Sequence, residues 1–172
     1  MHKSKSINGL GPILALLIPS LKGKIRGVSI DIALVPFITA LWNSGVVSFQ
    51  CCQGGSNGQI VLTHNLMKKY PRIHGVLGDI LCKEEARDFG ILKEDMQKYI
   101  EPGYIIILKK DFLLVETLMK KFKMTLLSKK SGTNEYEPLM YLEERMSDKE
   151  VDAANKSLPD KAFMYITFTP VK

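Results

Sequence analysis

The sequence predicts an α+β fold, a two-layer sandwich with helices packed on a mixed, partly antiparallel sheet. Three observations predict it. Tyr104–Lys109, Asp111–Phe122 and Met124–Ser128 read as strand, helix and strand with very short links. Asp31–Ser44 is apolar on nearly every side and runs through Gly45 into the β-branched and aromatic stretch Val46–Gln50. A last strand-like run closes the chain at Ala162–Thr169. Helices and strands in this mixed order suggest an α+β arrangement.

Each element has a local reason. In Asp31–Ser44 the apolar residues Ile32, Leu34, Phe37, Ile38, Leu41 and Trp42 suit a helix buried against a sheet. Pro36 places its first turn nearby, and Gly45 suits the left-handed residue after its end. Gly58–Thr63 reads as a strand through Ile60, Val61 and Leu62. His64–Leu81 shows no clear period. Lys83–Ile100 carries Phe89, Leu92, Met96 and Tyr99 at helical spacing, broken at Gly90. In Asp111–Phe122 the residues Phe112, Val115, Met119 and Phe122 share one face, and Asp111 is placed to cap it. Ser147–Lys156 is a polar helix with Ser147 as cap and Glu150 at the reciprocal position.

With 172 residues the chain is long enough for one substantial core, so residues 1–172 are expected to form a single domain. Residues 1–26 are a basic and apolar N-terminal segment. Its apolar run Ile13–Ile18 is six residues long and is ended by Pro19, which suits a short buried helix and falls well below the about 20 residues of a membrane span. Cys51, Cys52 and Cys82 are too few for a disulfide framework, which fits a reducing, cytoplasmic setting. No paired spacing among Cys51, Cys52, Cys82, His64 and His74 suits zinc, so no metal is expected.

The net charge of +6 is uneven. Residues 135–160 hold eight acids against three bases, whereas residues 1–134 hold 19 bases against ten acids. Basic pairs such as Lys68/Lys69 with Arg72, and Lys109/Lys110, are candidates for contact with a nucleic-acid backbone.

The principal candidate site is the segment Cys51–Gly58 between two predicted strands. Its three glycines, with Ser56 and Asn57, free the backbone to turn and to aim N–H groups at a phosphate or carboxylate. No Gly-Lys-Ser/Thr closes it, so it is not a P-loop.

The stretch Gly27-Val28-Ser29-Ile30-Asp31, a helix ending at Asn43, then Ser48-Phe49-Gln50-Cys51-Cys52-Gln53-Gly54 and Gln59–Leu62 resembles the tRNA wybutosine-synthesising methyltransferase family. Glu101-Pro102 and the strand and helix after it follow the same order. Cys52 and Gly54 match that family's motif, while Cys51, Gln53 and Gly55 depart from it, Gly55 standing where the family has arginine. The Cys-x-Gly loop also resembles that of short uncharacterised bacterial and phage proteins. The resemblance implies S-adenosylmethionine as cofactor, methyl transfer to a nucleotide or modified RNA base in tRNA processing, and Asp31, Asn43, Ser48, Cys52, Gln53, Gly54 and Gly55 as ligand-binding residues. Two other readings stay open: a non-catalytic binding module for a nucleotide-like ligand or a partner protein, and a basic accessory protein that binds nucleic acid, RNA among the possible partners. None of the three involves a membrane.

Overall fold

The structure, a computed structural model, describes residues 2–56, 58–132, 147–158 and 162–172. Strand β1 (Ser4–Ile7) leads into helix α1 (Leu10–Leu17), and strand β2 (Val28–Asp31) returns antiparallel to β1. Helix α1 contains most of the expected apolar run and buries Leu10 and Leu14, one turn apart on one face. Gly11 is required there, because a Cβ would strike the carbonyl oxygen of Ile25.

Strand β2 passes through a 3-10 turn, Ile32–Leu34, into helix α2 (Val35–Asn43). Pro36 sits in the first turn of α2, where a missing N–H costs nothing. Phe37, Ile38, Leu41 and Trp42 are buried, and Gly45 ends the segment at φ 78°. Strand β3 (Ser48–Cys52) begins two residues later than the sequence suggested, so Cys51 and Cys52 are strand residues and not loop residues.

The chain divides into two compact units. One comprises Met1–Gly54 with Pro102–Lys172, and the other comprises Gly55–Glu101. The second contains β4 (Gln59–Val61), α3 (His64–Lys69), β5 (Ile80–Cys82) and α4 (Lys83–Asp88). Strands β4 and β5 pair antiparallel, and Ile60, Leu62, Leu66, Ile73, Leu81, Ala86 and Ile91 form the unit's own core. The Thr63 hydroxyl caps α3 by accepting from the Leu66 N–H at 3.1 Å. The helix expected over Lys83–Ile100 is α4 alone; Gly90, at φ 74°, stops it, and Lys93–Asp95 forms a 3-10 turn.

Back in the first unit come β6 (Gly103–Leu108), α5 (Phe112–Lys121), β7 (Leu126–Ser131), α6 (Asp148–Ser157) and β8 (Phe163–Phe168). The four-stranded sheet has the order β3-β6-β8-β7. The α+β class is as expected, and every pairing between the described strands is antiparallel, without the parallel share that a mixed sheet implies. Strands β6 and β7 lie in one sheet with α5 between them in sequence, although β8 separates them in space.

Helix α5 buries Phe112, Val115 and Met119, and Lys129 of β7 lies over the Phe112 ring at 4.4 Å. The rings of Phe37 and Phe122 meet edge-on with centroids 5.8 Å apart, next to the contact between α2 and α5. Asp111 does not cap α5. It ends a 3-10 turn, and burial raises its carboxyl above the ordinary value. Ser147 does begin α6, its N–H and hydroxyl both donating to the Glu150 carboxylate at 3.0 and 2.9 Å. Glu150 also pairs with Lys24, so part of the acidic stretch is internal counter-charge for the basic N-terminal segment. Most of residues 135–160 lies outside the described residues. Among those described, no helix is long and apolar enough to cross a membrane.

Candidate functional site

Helix α2 leaves from the end of β2, and β3 runs back along it. This geometry brings Asp31 to the end of β3, where its carboxylate accepts the Gln53 N–H at 2.9 Å. Asp31 therefore fixes the loop and does not cap the following turn, as an N-terminal aspartate otherwise would. Asn43 is exposed at the far end of α2, roughly 14 Å along the helix axis by the 1.5 Å rise per residue. Ser48 is fully buried, and its hydroxyl accepts the Trp42 indole N–H at 2.9 Å, a packing role in the core.

The loop is held by hydrogen bonds within itself and to the segments beside it. The Gln53 side chain meets His2 Nδ1 at 2.8 Å, and the Gln53 carbonyl accepts from the Val171 N–H at 3.0 Å. The Gly54 N–H reaches Cys52 Sγ at 3.4 Å, the Gly55 N–H donates to the Glu101 carbonyl at 2.8 Å, and Gly58 N–H lies 3.5 Å from the Ser56 hydroxyl. Gly54 and Gly55 have φ of 72° and 119°, which explains the glycines by backbone shape. Amides that already have acceptors give an incoming carboxylate or phosphate little to bind, so the anion-receiving role expected of these N–H groups does not follow from their geometry. Asn57 lies outside the described residues. Cys51, Cys52 and Cys82 are not joined in a disulfide, and no cluster of three metal-ligating side chains occurs among the described residues.

The second unit holds a different kind of site. A cavity of about 130 Å³ is lined by Ser56, Gly58, Gln59, Ile60, Lys83, Lys93, Met96 and Lys98. Its wall is mainly apolar. Ile60 is buried, Met96 is half-buried, and Lys93 and Lys98 are exposed, so the lysine stems contribute apolar wall while their ammonium groups reach solvent. A backbone bridge between Ile60 and Lys98 sets one side of the cavity. Lys83 is placed by the start of α4, where Cys82 Sγ accepts the Glu85 N–H at 3.4 Å and the Glu85 carboxylate accepts the Cys82 N–H at 3.2 Å. Residues 55–101 hold seven basic and seven acidic side chains, yet three of the bases and none of the acids line this cavity. None of the three lysines forms an ion pair among the described residues.

Sequence reasoning named the edge of this cavity, through Ser56 and Gly58, but missed its lysines. They stand far apart along the chain, and only the pairing of β4 with β5 and the turn at Lys93–Asp95 bring them together. His2 was missed for the same reason.

The residues proposed for nucleic-acid contact divide between the units. Lys68, Lys69 and Arg72 are exposed in the second, and Lys109 and Lys110 are exposed in the first. Lys69 is not available as a bare charge, because it donates to both Asp95 oxygens at 2.9 and 2.7 Å. Tyr70 also donates to Asp95 and accepts from the Leu92 N–H at 3.2 Å. The hydrogen bond from Lys69, followed by that from Tyr70, holds the Asp95 carboxyl below its ordinary value of 3.8.

A carboxyl depressed on folding stabilises fully above its unfolded value and loses that contribution as pH falls through the lower, folded one. Asp95→Asn is therefore expected to weaken the second unit at neutral pH, and the gap from wild type is expected to close with acidification to below pH 3.8. Chemical denaturation followed through the amide signals of the second unit, Leu92 included, checks this. A gap independent of pH would contradict it.

No known protein family, no curated protein and no solved structure matches this chain. The wybutosine-methyltransferase resemblance thus rests on the sequence motifs quoted above.

Proposed function

We propose that this chain is a non-catalytic binding module that takes an anionic small molecule in its second unit. The supporting observation is the segregation of charge at one cavity: three lysines without ion-pair partners among the described residues, and no acid, in a unit of zero net charge. An anion placed at this cavity is attracted by all three cations and repelled by no lining acid.

Pyrophosphate is a suitable first probe. Calorimetric titration of the full chain is expected to show binding that weakens as salt rises through the range where the Debye length falls to about 10 Å, and that is lost in the Lys93→Ala/Lys98→Ala double variant. Absence of any heat at low salt would overturn the proposal.

A second reading, S-adenosylmethionine binding as a step of methyl transfer, is favoured by one observation: the contact of Asp31 with the Gln53 N–H joins two residues of the resembling motif. Its cation and its size suit the lysine cavity poorly. An S-adenosylmethionine heat unchanged in the lysine double variant would favour this second reading and an RNA-directed activity.

A further inference from the structure

We infer that the ligand of the lysine-rimmed cavity combines one flat ring with one phosphate, as a nucleoside monophosphate does. This rests on the anionic-ligand reading above and adds the substrate class. Pockets that enclose a whole drug-sized ligand measure about 300–1,000 Å³. A cavity of about 130 Å³ takes one ring and leaves the rest of the ligand outside.

The wall decides what enters. Ile60, Met96 and the stems of Lys83, Lys93 and Lys98 form a mainly apolar slot. A phosphate placed there would exchange its hydration for a mainly apolar wall whose uncharged polar side chains are Ser56 and Gln59, whereas a ring would displace water from apolar surface. Met96 adapts to a flat face, since a thioether makes favourable contacts with aromatic rings.

The rim decides what stays outside. Lys93 and Lys98 are exposed and Lys83 is half-buried, so their ammonium groups can meet a dianion at the mouth without being desolvated. A neutral nucleoside leaves those charges uncompensated, and inorganic phosphate leaves the slot filled with water. Ring and phosphate together satisfy both parts. A free mononucleotide and the phosphorylated end of a single strand share this chemistry.

The test is a titration panel on the full chain: the monophosphates of adenosine, guanosine, cytidine and uridine, the parent nucleosides, inorganic phosphate, and a 5′-phosphorylated pentanucleotide. At least one monophosphate is expected to bind about tenfold or more tightly than its nucleoside and than inorganic phosphate. Lys93→Ala and Lys98→Ala are each expected to weaken it about tenfold with an unchanged circular-dichroism spectrum. Met96→Ala is expected to weaken the monophosphate while leaving phosphate and pyrophosphate unaffected.

Phosphate or pyrophosphate binding as tightly as every monophosphate would overturn the ring assignment and leave the anionic-ligand reading standing. No binding by any anion would overturn both. A monophosphate bound at least as tightly as the pentanucleotide supports a free nucleotide as the source; a pentanucleotide bound more tightly, with the same lysine dependence, supports a strand end.

Discussion

Gly103→Ala is expected to destabilise the first unit by about 3 kcal/mol, the upper end of the usual range for overpacking. Gly103 pairs directly with Phe168 across β6 and β8, and the Phe168 ring, fully buried, covers it. A Cβ on Gly103 would overlap that ring and lie 2.9 Å from the carbonyl oxygen of Gln53. Neither neighbour yields cheaply, because the ring is locked in the core and the carbonyl is held by the Val171 N–H. Gly103 does not adopt a left-handed conformation, so the effect is steric. The measurement is thermal unfolding, with a fall in Tm on the order of 10 °C. Gly103→Ala/Phe168→Leu is expected to be more stable than the sum of its single changes, because the shorter side chain clears the space. A Gly103→Ala protein as stable as wild type would show that the ring does not lie over this strand.

Trp42→Ala is expected to cost about 3–5 kcal/mol, as for other large-to-small changes of a buried aromatic residue. Trp42 is buried on α2, its ring lies 3.3 Å from where a Cβ on Gly9 would sit, and its indole N–H serves the buried Ser48 hydroxyl. Trp42→Phe separates packing from hydrogen bonding. It keeps much of the ring but leaves Ser48 without its donor, at a cost of about 1–3 kcal/mol. Adding Ser48→Ala to Trp42→Phe is expected to recover part of that loss, which denaturant unfolding checks. Recovery supports a structural role for Ser48. No recovery would mean that Ser48 serves another partner.

What the sequence reveals about this molecule follows the distance over which its signals act. The helix at Phe112–Lys121 announces itself through residues one turn apart, and Pro36 and Gly45 mark the two ends of α2 within single turns. Strand β1 was invisible because Ser4, Lys5 and Ser6 are polar and exposed on a two-stranded ribbon, without the alternation that a half-buried strand shows. Residues 64–82 were unreadable because α3 is six residues long and β5 three, each too short to display a period.

The candidate residues divide in the same way. The segment of Gln53 and Gly54 stands out in the sequence because it is compact and unusual in composition, and Asp31 was named through the family resemblance; the structure gives them places in the backbone of the loop. The lysine cavity draws on residues 56, 58–60, 83, 93, 96 and 98, and no local pattern links them. Their common feature is spatial, so it becomes visible only once β4, β5 and α4 are folded around Ile60.

Backbone amide NMR during titration with a nucleoside monophosphate tests the central claim most directly. Saturable shift changes are expected to concentrate at Gly58, Ile60, Lys83, Lys93, Met96 and Lys98, with Asp31, Cys52, Gln53 and Gly54 little affected. Shifts concentrated at Asp31, Gln53 and Gly54, with the lysine cavity silent, would contradict it and return the binding site to the glycine loop.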